Sequence, residues 1–84
     1  MKIGTVVLLN SVTQRCAVRL DDDEHSIVEM LDDLGLALGD LVSGPLDEIG
    51  CSLITNRTTG MTGKVHIDDT TQDRATAIRS LRLP

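Results

Sequence analysis

The side chains able to do chemistry in this chain are few: Cys16, Cys51, His25, His66 and a crowd of carboxylates that begins at Asp21. A thiol beside an imidazole makes a nucleophile, and either cysteine could meet either histidine only through the fold. A nucleophilic cysteine needs electropositive, partly exposed surroundings. "RCAVR" places Arg15 and Arg19 next to Cys16 in sequence, but strand alternation turns those side chains to the opposite face. The two cysteines lack a CxxC spacing and make neither a disulfide framework nor a zinc site by themselves. Both sit among apolar residues, where a free cysteine packs as a small hydrophobe. Both histidines are expected to be ordinary surface residues. A chain of 84 residues also has little wall for a deep pocket, which commonly occupies ~300 Å³ or more. The expectation is a protein that is not an enzyme.

The acidic run Asp21, Asp22, Asp23, Glu24 could attract a divalent cation. A calcium-binding loop needs Gly at its sixth place and Glu at its twelfth. Counting from Asp21 puts Ser26 and Asp32 there, and the apolar "SIVEML" would have to be loop. No metal or cofactor is therefore expected, and the run reads as a solvated turn. "TTGMTGK", ending at Lys64, resembles a phosphate-binding loop only superficially. Its two glycines stand too close together, and Val65 follows the lysine where Ser or Thr is required. It reads as a flexible hairpin.

Charge is unevenly placed. Lys2, Arg15 and Arg19 precede any acid. From Asp21 to Glu48 every formal charge is negative: Asp21, Asp22, Asp23, Glu24, Glu29, Asp32, Asp33, Asp40, Asp47 and Glu48. Bases return with Arg57, Lys64, Arg74, Arg79 and Arg82. Such segregation suits polar self-association or a basic partner. It suits nucleic acid poorly, because the net charge of −5 opposes phosphate. The chain also has no Phe, Tyr or Trp. Bases stack on such rings at roughly 1–3 kcal/mol each.

These residues must be held by a single small domain, whose chain buries only roughly 60–65% of its unfolded surface. Its core has to be aliphatic. "KIGTVVLLN" is a β-branched strand over Lys2–Leu9. "RCAVRL" alternates, with Arg15, Ala17 and Arg19 opposite Cys16, Val18 and Leu20. "HSIVEML" pairs with it in a hairpin whose tip is the acidic run. "LDDLGLALGD" changes period and, with Gly35 and Gly39, gives a loop or one helical turn. "DLVSG", "EIGCSLITN" and "MTGKVHID" read as three more strands, the last two joined by "NRTTG". Residues 70–83 are a C-terminal helix or a last strand. Thr70-x-x-Asp73 has the form of a capping box, and either Ala75, Ile78 and Leu81 or Ala77 and Leu81 share a helical face. No apolar run reaches the ~20 residues of a membrane span. "MKIGTVVLLN" is too short in its apolar part for a secretory leader. A cytoplasmic protein with no membrane contact is expected.

The start of the chain resembles a cold-shock domain, a five-stranded barrel of the OB type. The residues that carry the likeness are "MKIGTV", Asn10-Ser11, the hairpin order of the next two strands and "LGDLVSG". The resemblance implies a small barrel and, in that family, single-strand binding. The family's exposed phenylalanines are missing from "TQRCAVRL" and "HSIVEM", where only His25 could stack. The fold expected is mostly β: a five- to six-stranded OB- or SH3-like barrel with a short C-terminal helix. The function expected is a non-catalytic binding or assembly module that engages a protein partner or itself. Asp21, Asp22, Asp23 and Glu24 would form one contact and Arg74, Arg79 and Arg82 another. The alternative is weak single-strand binding through Lys2, Arg15, Arg19, His25 and Lys64.

Overall fold

Alternation and turn chemistry divide the described residues into six strands and one helix. The computed structural model describes residues 2–81; Arg82 lies outside the described residues. β1 (Lys2–Asn10), β2 (Arg15–Arg19) and β3 (His25–Met30) form one antiparallel meander. β4 (Leu41–Gly44), β5 (Gly50–Asn56) and β6 (Thr62–Thr71) form a second. β1 also pairs with β4, and β3 with β6, so the order β1-β2-β3-β6-β5-β4 closes into a barrel. Closure gives every strand a neighbour on both sides, although β4 and β5 pair at only two positions, Val42 with Asn56 and Ser43 with Thr55.

Inward positions follow the period of two. Val6, Cys16, Val18, Val28, Val42, Ile54, Val65 and Ile67 fill the barrel, and Leu20, Leu34 and Leu46 join them from the connecting segments. Each fully buried aliphatic contributes roughly 1.5–3 kcal/mol, so the core holds without aromatics. Close packing constrains the backbone as well. A Cβ on Gly4 would stand 2.7 Å from the Arg19 carbonyl oxygen and 2.5 Å from Val18 Cγ1. Only glycine lets β1 lie this close to the end of β2.

Two bulges shape the outer surface. The β1–β2 register slips at Val7, so Val7 and Leu8 both reach the outside. The β3–β6 register slips at Asp68, where Ile27 pairs with Asp69 and Val28 with Ile67. The helix α1 (Arg74–Leu81) lies on the outside of β1, β2 and β3. There Ala77 and Leu81 close a second apolar cluster with Ala17, Ile27, Val7 and Leu8. Of the two helical faces legible in the sequence, the structure uses Ala77 and Leu81. Within that C-terminal stretch, the described residues 70–81 are thus neither all helix nor all strand. Thr70 and Thr71 extend β6 by pairing with Ser26 and His25. The helix cap is Asp73, not Thr70: Asp73 Oδ1 accepts from Ala75 N at 3.0 Å, and Asp73 Oδ2 from Thr76 Oγ1 at 2.9 Å. At the other end Asn10 Nδ2 donates to the Leu81 carbonyl at 2.7 Å, fastening the helix terminus to β1. No helix among the described residues is long and apolar enough to cross a membrane.

Candidate protein-binding face

The acidic tip is a tight turn. Leu20 N donates to the Glu24 carbonyl, Asp23 takes a left-handed backbone (φ 63°), and Glu24 N donates to Asp22 Oδ1. Asp tolerates this geometry and supplies its own acceptor, which is why the run sits here. Several other acids of the middle segment also brace loops. Asp33 Oδ1 accepts from Gly35 N, Asp40 Oδ2 from Ala37 N, and Asp32 Oδ2 from Lys64 N. The remaining carboxylates of the segment have no cation within 4 Å among the described residues. Asp68 instead stands beside Arg15 and is hydrogen-bonded to His66.

The turn overlooks a depression of about 420 Å³ lined by Ile3, Thr5, Arg19, Asp21, Asp23 and Leu41. It exists because β1 changes partners along its length: Lys2–Thr5 pair with β4, whereas Thr5–Asn10 pair with β2. The β2–β3 tip is thereby free to overhang the first residues of β1. Ile3 and Leu41 are 51% and 47% exposed on its apolar side. Asp21 and Asp23 bring negative charge to the same lining, and Arg19 positive charge. A second groove, on β5 and β6, exposes Leu53 and Cys51, with Leu31 from the segment after β3. Sequence reasoning missed this apolar component. Ile3, Leu41 and Leu53 alternate correctly in their strands, but period alone does not say which face of a barrel is inside.

The alternative set does not converge. Arg15 and Arg19 share the outer face of β2 as expected. Arg15 is committed to Asp68, its Nε 3.5 Å from Oδ2, a Coulombic contact longer than a hydrogen bond. Between Arg15 and Lys64 lie Glu29, His66 and Asp68. His25, expected on the surface, is only 5% exposed, because its strand neighbour Thr71 leads directly into α1 and the helix roofs this side. It offers no face for a base. Lys2 stands at the far end of β1, opposite Gly44. Arg74 and Arg79 are exposed on α1, which docks on its own barrel.

The two cysteines part company. Cys16 is wholly buried, and burial pushes its thiol up to about 12. Cys51 was expected to pack as a hydrophobe, yet it is exposed on the outer face of β5. Among the described residues no three His, Cys, Asp or Glu side chains gather as a metal-binding group. "TTGMTGK" spans the β5–β6 turn, closed by Gly60 N donating to the Asn56 carbonyl at 2.7 Å. Comparison with protein-family models, curated proteins and solved structures finds no match to this chain.

Proposed function

We propose that this barrel is a non-catalytic binding or assembly module that engages a protein segment bearing both basic and apolar side chains. The observation that carries the reading is the depression where Ile3 and Leu41 meet Asp21 and Asp23. Exposed apolar side chains set beside charge are how interfaces combine affinity with partner choice. Arg74 and Arg79 on α1, and Arg82 beyond it, would form a second contact, suited to an acidic surface. The exposed thiol of Cys51 suits a reducing compartment such as the cytoplasm.

The test is affinity capture from the native cell with three baits: the natural chain, Asp21→Lys with Asp23→Lys, and Leu41→Asp. The reading expects a partner retained by the first and lost by the other two. An identical set of captured proteins on all three baits would refute it.

A further inference from the structure

One row of side chains runs across the outside of the barrel, over four strands. Cys51 on β5 pairs in register with His66 on β6, His66 with Glu29 on β3, and Glu29 with Arg15 on β2. Directly paired residues of an antiparallel sheet have Cβ atoms roughly 4.5–5.5 Å apart. The bulge at Asp68 bends β6 so that its carboxylate reaches back to this row. His66 Nδ1–H donates to Asp68 Oδ1 at 2.6 Å, and Arg15 Nε lies 3.5 Å from Asp68 Oδ2. A carboxylate only accepts, so this bond puts a proton on Nδ1, and in the neutral ring Nε2 is then the acceptor. The register thus sets an exposed thiol on the strand position next to a histidine whose Nδ1 is held by a third group. A base that is itself oriented by a third group can activate a weak nucleophile brought within its reach. The thiol also borders a groove of about 420 Å³ walled by Leu31, Leu53 and Lys64.

We propose that Cys51, His66 and Asp68 form a thiol-exchange site that takes low-molecular-weight disulfides with an apolar body. The Sγ proton passes to His66 Nε2, and the thiolate attacks one sulfur of the disulfide. The S–S bond breaks, and the departing thiolate recovers the proton from the imidazolium. The products are a mixed disulfide on Cys51 and one free small thiol, with no other oxidant consumed. Leu31 and Leu53 hold the body of the incoming molecule. His66 acts as the base, and Asp68 is a positioning residue. Arg15 from β2, Glu29 from β3 and Lys64 from β6 are further charged groups of this surface. Cys16, sealed in the core, takes no part.

The experiment measures the rate at which bis(carboxy-nitrophenyl) disulfide modifies Cys51 in the folded full chain and in the urea-unfolded chain. The labelled peptide is identified by mass. The folded chain should react roughly tenfold faster at neutral pH, a fraction of what a positioned base commonly supplies. His66→Gln should remove that advantage and Asp68→Asn reduce it, each with an unchanged far-UV spectrum. A folded rate no faster than the unfolded one would overturn the proposal, as would a folded His66→Gln chain that reacts as fast as the natural one. Should His66→Gln fail to fold, Asp68→Asn decides in the same way.

Discussion

At the scale of single residues, stability depends on a few groups whose importance their type alone does not reveal. Asn56 is completely buried. Its Nδ2 donates to the Leu34 carbonyl at 3.0 Å and to Asp40 Oδ2 at 3.1 Å, while Oδ1 accepts from Thr58 N at 3.1 Å. One side chain thus ties the loop before β4 to the β5–β6 turn. Asn56→Ala should cost about 3 kcal/mol by leaving these groups unpaired inside the protein, read as a lower urea midpoint. In the sequence this residue looks like turn punctuation, and nothing local distinguishes it from Asn10. Cys16 gives a second prediction. Its folded pKa is raised, so the neutral thiol is favoured by folding. The associated stability is intact below the unfolded value near 9 and is lost as pH rises toward about 12. Alkaline denaturation followed by circular dichroism should show this limb, and Cys16→Ala should remove it. Gly4→Ala should destabilise the barrel by roughly 2 kcal/mol or more, because the Arg19 carbonyl cannot yield to a new methyl group.

At the scale of elements, strands were far more legible than the helix. Alternation in "RCAVR" and "GKVHI" sorts inward from outward residues correctly, since each strand has one face in the barrel. The bulges at Val7 and Asp68 were not legible, because a slipped register is set by the partner strand and not by the strand itself. The boundary of α1 was misplaced for a related reason. Thr70 has the form of a cap, but β3 offers it a ladder position opposite Ser26, and β6 continues through it. Asp73 then caps the helix. The Thr76 hydroxyl and then the Ala75 amide, both donating to it, hold the Asp73 carboxyl below its ordinary range. A lowered carboxylate pKa means stability that is complete above the unfolded value and fades as pH falls through the folded one. The helical far-UV signal should therefore weaken at strongly acidic pH. Asp73→Ala should weaken α1 at neutral pH, lowering the melting temperature, whereas Asp73→Asn should retain a cap and flatten the acid limb.

At the scale of the whole molecule, the two sides of the barrel are used differently. One is roofed by α1 over Ala17 and Ile27. The other remains open, with Ile3 and Leu41 beside the acidic turn and Leu53 exposed on β5. Charge segregation along the sequence pointed to the acidic half of this face. The apolar half emerged only when β1 was seen to leave β2 for β4 beneath the hairpin tip. The most direct measurement is quantitative capture of partners from the native cell, comparing the natural chain with Asp21→Lys/Asp23→Lys, Leu41→Asp and a control, Val12→Asp. Val12 is 91% exposed in the turn at the opposite end of β2. The prediction is that one partner is held by the natural chain and by the control and is lost from both variants of the depression. Equal capture by all four chains, or loss from the control alone, would contradict it.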